Sequence, residues 1–204
     1  MAVRIGSARI NEKGTTTGGK AGDQTGGEVS IQNYYLHRKG WYVARPKDPT
    51  VAEKIAQAME AACNNNHIGY CQAHRDSLRK IAVKYNYNLS KVNVDVEADC
   101  SALVRVCCLY AGIQVGDFNT ASELETLRKT GAFEILKDDK RCKESTYLKR
   151  GEYSCYTHQG TYSCSPGQWI WSDFRFKEYQ SLCRRTSLYN TGGRPERPNR
   201  SGNQ

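Results

Sequence analysis

The segment EADCSALVRVCCLY, residues 97–110, constrains this chain more than any other. Ala102, Leu103, Val106, Cys107 and Tyr110 recur at helical spacing, which predicts a helix beginning at Asp99 or Cys100, running to Ala111 and closed by Gly112. Cys107 and Cys108 lie within it, where a cysteine behaves as a small apolar residue, so packing is their expected role. Cys100 is placed differently. A thiol in the first helical turn feels the positive end of the macrodipole and the unpaired N–H groups, and both favour the nucleophilic thiolate. Asp99 opposes the thiolate electrostatically but is itself a natural N-cap. Position alone leaves a catalytic and a structural Cys100 both open.

At 204 residues the chain suits one domain, or one domain with a short appendage. Its net charge of +9 favours an anionic partner, whether nucleic acid, a membrane surface or a bacterial cell wall, and charge does not choose among them. No stretch approaches the roughly 18 consecutive apolar residues of a membrane span, and MAVRIGSARINEKG lacks the apolar centre of a signal peptide. Synthesis in the cytoplasm is therefore expected. Nine cysteines leave at least one thiol unpaired, and a reducing cytosol would keep most of them free.

Residues 11–28 are Gly- and Thr-rich and predict an irregular loop. VSIQNYYLHRKGWYVARP, with alternating aromatics, predicts extended structure docking on a core. DPTVAEKIAQAMEAACNN carries a capping box, Thr50 with Glu53, ahead of apolar residues Val51, Ile55, Ala58, Met59 and Ala62 at helical spacing. A second helix is expected over Tyr70 to Tyr85 with Leu78, Ile81, Ala82 and Tyr85 on one face, and another over Thr120 to Lys129. AFEIL, residues 132–136, predicts a strand. From Gly151 the periodicity weakens, and the end of the chain has the composition of a disordered tail.

Two motifs resolve to bland readings. GTTTGGKA, residues 14–21, fits G-x-x-x-x-G-K, but Ala21 stands where a phosphate-binding loop needs Ser or Thr, and the glycines that follow disfavour the required helix. Cys63, His67, Cys71 and His74 superficially resemble zinc-ligand spacing. Packing cysteines and solvated histidines explain them better, so neither a metal nor a cofactor is expected.

DCSALVR, residues 99–105, resembles the Asp-Cys-Ser motif opening the central helix of NlpC/P60 cysteine peptidases, and GGKAGDQTGGEVSIQNYYLHRKGW resembles the start of such lysins from Firmicute phages and prophages. The resemblance covers about residues 3–150. It implies an α+β, papain-like fold with the nucleophile, Cys100, on a helix packed against a small antiparallel sheet, and a histidine base on a strand of that sheet. It also implies a peptidoglycan substrate and an enzyme that acts at the wall after holin-type release. Asp23 and Gln24 are candidate substrate contacts on the same ground, although an ordered turn explains their loop as well.

The family pattern calls for Gly-Asp, an apolar strand and Gly-His after YLKRG, and this chain has EYSCYTHQGTYSCSPGQW there. One allowed back-translation from Gly151, with the third base of the Glu152 codon deleted, reads GDILVTRTKGHTAVVLGN. A one-base insertion near codon 152 therefore accounts for the change of texture. On this basis residues 1–150 form the catalytic domain, residues 151–204 an out-of-frame tail, and the C-terminal strands are expected to be disrupted. His158 lies near the expected base and is the candidate replacement. The expected function is a peptidoglycan-cleaving cysteine endopeptidase, damaged in its C-terminal part. The alternative is a non-catalytic binder using its basic surface on wall polymer, with nucleic acid the less favoured target.

Overall fold

A computed structural model describes residues 3–10, 14–15, 21, 28–36, 41–137, 140–158 and 161–172, with side chains described as far as Cys155. Among these residues the elements are β1 (Val3–Ala8), β2 (Val29–Asn33), β3 (Tyr42–Pro46), α1 (Pro49–Cys63), β4 (Ile68–Tyr70), α2 (Ser77–Ala82), β5 (Val96–Ala98), α3 (Cys100–Tyr110), α4 (Glu123–Lys129), β6 (Phe133–Lys137), α5 (Lys140–Lys143), β7 (Tyr153–His158) and β8 (Thr161–Ser172). The fold is α+β. An antiparallel sheet runs β2-β1-β8-β7-β3-β6, and β4 with β5 forms a separate parallel pair.

Helices α1 and α3 pack on each other and on the large sheet. Ile55, Ala58, Met59 and Ala62 of α1 are buried, as their spacing predicts. The absence of a side chain at Gly6 in β1 is what lets α1 come so close. A Cβ at that position would stand 2.5 Å from Met59 Cγ. Leu103, Val104, Val106, Cys107 and Cys108 of α3 are fully buried, so both cysteines pack as expected. Gly112 follows the helix with φ +88°, a conformation glycine adopts without steric cost.

Three local expectations are corrected, two by side chains a few residues away and one by a distant strand. The cap of α1 is Asp48, not Thr50: its carboxylate accepts the Thr50 N–H at 2.7 Å with Pro49 in the first helical turn. Glu53, released from the capping box, instead receives Arg150. The helix expected over residues 70–85 is confined to Ser77–Ala82 plus a single 3-10 turn, Val83–Tyr85. Its first residue, Tyr70, ends a strand instead, because Ile68, Gly69 and Tyr70 pair in parallel with Val96, Glu97 and Ala98, partners 28 positions away that no local pattern reveals, and a turn follows before Ser77. Likewise α4 starts at Glu123 rather than Thr120, since the Asn119 side chain accepts the N–H groups of Ala121 and Ser122 and holds them in a turn.

The expected disruption of the C-terminal strands is also corrected. Strand β7 pairs with β3, and β8 lies between β7 and β1 through Trp169↔Gly6 to Ser172↔Val3. Ladder hydrogen bonds need only backbone groups, which every residue but proline supplies in full, and the β7–β8 pairing forms with register shifts between Ser154 and Tyr156 and between Thr157 and His158. Tyr153 and Cys155 are fully buried and join the main core.

The entry into β7 is clasped to α1. Arg150 donates to Glu53 at 2.7 and 3.1 Å and to Glu60 at 2.6 Å. Burial raises the Glu53 carboxyl, but the Arg150 guanidinium outweighs it and holds the group below its ordinary 4.5. A carboxyl depressed on folding contributes stability above its unfolded-state value and loses it as pH falls. Urea midpoints measured between about pH 6 and pH 3 should therefore fall less steeply on the acid side for Glu53→Gln than for the unsubstituted chain. Parallel curves would contradict the pairing.

Candidate active site around Cys100

Strand β5 runs directly into α3, so Asp99 and Cys100 sit where an extended chain turns into a helix. Asp99 is the N-cap, with φ −87° and ψ 179°. Its Oδ1 accepts the Ala102 N–H at 2.7 Å and the Ser101 hydroxyl at 3.0 Å. Cys100 is the first helical residue and 8% exposed, so its thiol lies at the rim of the core rather than within it.

The objection that Asp99 would repel a thiolate is met by Arg75, which sequence reasoning missed. Its Nε donates to Asp99 Oδ2 at 2.6 Å. Its Nη2 donates to Ser101 Oγ at 2.8 Å and to the Phe118 carbonyl at 2.7 Å, and Nη1 reaches Asp117 at 3.1 Å. One guanidinium thus holds both residues flanking Cys100 and offsets the nearer negative charge. Burial would lower the Arg75 pKa, but Asp99 and Asp117 raise it overall, so the cation is firmly held. Arg105 of α3 also reaches Asp117, at 3.2 Å.

Tyr70, at the end of β4, lies on the same site. Burial pushes its phenol up to about 12, and the nearby Cys100, Asp99 and Cys71 add to the rise while a hydrogen bond from Gln72 opposes it.

The other thiols are of a different kind. The seven cysteines whose side chains are described, Cys100 among them, are all buried. Burial pushes Cys63 up to about 12 and raises Cys107 and Cys108 strongly, so these are packing residues and poor nucleophiles. The zinc-like set of Cys63, His67, Cys71 and His74 is not gathered. Cys63 lies against Met59, with Sγ–Sδ 3.8 Å, and His67 pairs with Asp95 at 2.8 Å. His158 ends β7 opposite Thr161, and its side chain lies outside the described residues. Asp23 and Gln24 also lie outside them, as does most of the glycine-rich loop.

The Arg75 network has a measurable consequence. Arg75→Met should slow iodoacetamide labelling of Cys100 at neutral pH about tenfold, the effect of roughly 1.4 kcal/mol on the thiolate. Adding Asp99→Asn, which keeps the capping oxygen, should recover most of the rate. Equal labelling of Cys100 in the unsubstituted chain and Arg75→Met, followed by peptide mapping, would show that Arg75 serves packing only.

These features place the chain among α+β proteins with a cysteine at the N-terminus of a buried helix. The endolysin-like domain family model matches residues 5–163, and the chain belongs to that family. The match continues past Gly151, where the NlpC/P60-like pattern of motifs ends, into β7 and β8. Comparison with curated proteins and with solved structures gives no match. No helix among the described residues is long and apolar enough to cross a membrane.

Proposed function

We propose that this chain is a phage-type peptidoglycan hydrolase acting as a cysteine endopeptidase of NlpC/P60 kind, with Cys100 as nucleophile. The observation that carries this reading is the Asp99-Cys100-Ser101 step at the start of α3, with the Asp99 charge engaged by Arg75, in a chain of the endolysin-like family. A base removes the Cys100 proton, the thiolate attacks a stem- or cross-bridge-peptide carbonyl, and the amine leaves as an acyl-enzyme forms. Water then hydrolyses the thioester. The +9 charge favours accumulation on anionic wall polymer.

The base is the open member of this mechanism. His158 is our candidate within the present reading frame, and Asp23 and Gln24 are our candidate substrate contacts. We further propose that residues 152–204 derive from a frame shifted by one base, which in the restored frame would supply Gly-His. The gene sequence around codon 152 tests this: the proposal fails if no single-base deletion there opens a frame encoding Gly-His.

Mass spectrometry of fragments released from purified Firmicute peptidoglycan tests the activity. New amino and carboxyl termini within stem or cross-bridge peptides support the endopeptidase. Protein bound to the wall with no fragments released supports the non-catalytic binder, and new sugar reducing ends alone would overturn the peptidase assignment.

A further inference from the structure

We propose that Cys71, His74 and Glu97 form a binding site for a borderline-soft divalent cation, zinc by the chemistry of its donors. Each contributes one ligand atom, and the three atoms lie within 4.8 Å of one another. Cys71 follows β4 and donates its N–H to the Ala98 carbonyl at 3.3 Å, which fixes it beside β5. Glu97 is the central residue of β5, opposite Gly69. The loop through Gln72 and Ala73 then returns His74 over both, held where its carbonyl accepts the Ser77 N–H at 3.0 Å.

The sulfur–nitrogen separation matches that around a shared metal, and the nitrogen–oxygen separation is a few tenths of an ångström short of it. Cys71 Sγ stands 3.6 Å from His74 Nδ1, and Nδ1 stands 3.1 Å from Glu97 Oε2. Tetrahedral zinc, with bonds of about 2.3 Å to sulfur and about 2.0–2.2 Å to nitrogen and oxygen, separates its ligands by roughly 3.3–3.6 Å. Thiolate, imidazole and carboxylate are also the three donor types zinc accepts. Cys71 and Glu97 are buried, whereas the His74 side chain is 65% exposed, so a fourth position faces water. Ser77 holds the carboxylate-bearing strand in place: its Oγ accepts the Glu97 N–H at 2.8 Å and donates to the Glu97 carbonyl at 3.0 Å.

The same atoms argue against a second catalytic triad. In a nucleophile–base–carboxylate relay the imidazole meets the nucleophile with one ring nitrogen and the carboxylate with the other. Here the sulfur and the carboxylate oxygen both approach Nδ1. One nitrogen carries either a proton or a lone pair and cannot serve both roles, whereas a cation among the three groups satisfies all of them. Cys71 is moreover fully buried, out of reach of a wall peptide. Occupancy would tie the end of β4 to the strand that delivers Cys100, only three residues beyond Glu97.

Titration of the metal-free full chain with Co²⁺, then Zn²⁺, tests the site. One equivalent of Co²⁺ should give a thiolate-to-metal charge-transfer band and intense tetrahedral ligand-field bands, both bleached by Zn²⁺. Cys71→Ser should abolish the charge-transfer band. His74→Ala, at an exposed position that tolerates substitution, should weaken Zn²⁺ binding by about 100-fold or more while circular dichroism stays unchanged. His67→Ala should leave the affinity as it was. Absence of the thiolate band, or Zn²⁺ affinity unaltered by His74→Ala in a chain shown to be folded, would overturn the proposal.

Discussion

Alanine in place of Cys100 is expected to abolish peptidoglycan hydrolysis by the chain, lowering kcat by roughly 10⁴-fold or more, as loss of a nucleophile does in other hydrolases. The fold should survive. Asp99 and Ser101, which make the cap and the contacts with Arg75, are untouched by the substitution, and the removed sulfur lies at the rim of the core. The thermal midpoint should move by only a few degrees, the effect of about 1 kcal/mol in a domain of this size. The chemistry can also be read without substrate. In the unsubstituted native chain, peptide mapping after brief iodoacetamide treatment should find Cys100 labelled at least about 100-fold faster than Cys107 or Cys108, whose burial opposes the thiolate. Clearing of cell walls that persists in Cys100→Ala would remove Cys100 from the mechanism, and equal labelling of the three cysteines would remove its special reactivity.

The second large effect is structural. Gly151→Ala should destabilise the chain by about 3–5 kcal/mol, the sum of left-handed backbone strain and overpacking, and lower the thermal midpoint by roughly 10 °C or more. Gly151 has φ +78°, and a Cβ there would stand 2.0 Å from the Ala52 carbonyl oxygen and 2.5 Å from its carbon. Neither atom can swing aside, because both belong to the backbone of α1. The displacement would pull on its neighbours, since Arg150 is clasped to Glu53 and Glu60 and Glu152 pairs with Arg45. Glu152 is buried, and burial lifts its carboxyl above the ordinary value despite Arg45, so this corner has little slack. Gly112→Ala is the control: its φ is +88°, but nothing lies within 4 Å of the added Cβ. It should cost only about 1–2 kcal/mol, the backbone strain alone. Similar losses at the two positions would show that the contact with Ala52 does not matter.

Elements with a strong period of their own were legible before any tertiary information. The faces of α1 and α3, the closure of α3 before Gly112, the strand near residues 133–137 and the packing role of Cys107 and Cys108 all follow from residue spacing within one segment. Errors arose where another group, near or distant along the chain, outweighed the pattern read from spacing. Tyr70 ended a strand rather than starting a helix because Ala98 was there to pair with it, and the capping box at Thr50 gave way to Asp48, two residues earlier. Residues 153–158 and 161–172 have weak periodicity, yet their backbone pairs into the sheet, since pairing is decided by the neighbours β1 and β3.

The site divides the same way. Local sequence placed Cys100 in the first turn of a helix behind an aspartate, because capping and helical periodicity act within a few residues. It could not show that Arg75, 24 positions upstream, neutralises that aspartate while also holding Ser101 on the other side of Cys100. Of the spacing set Cys63, His67, Cys71 and His74, the fold brings together only Cys71 and His74, and adds Glu97, which no spacing linked to them. Charges and donor atoms act through space over a few ångströms, and which residues come that close is set by the register of β4 on β5 and the packing of α3. The sequence alone determined which residue stands at the helix start. Only the tertiary structure decided which groups surround it, because those contacts join segments that no spacing along the chain connects.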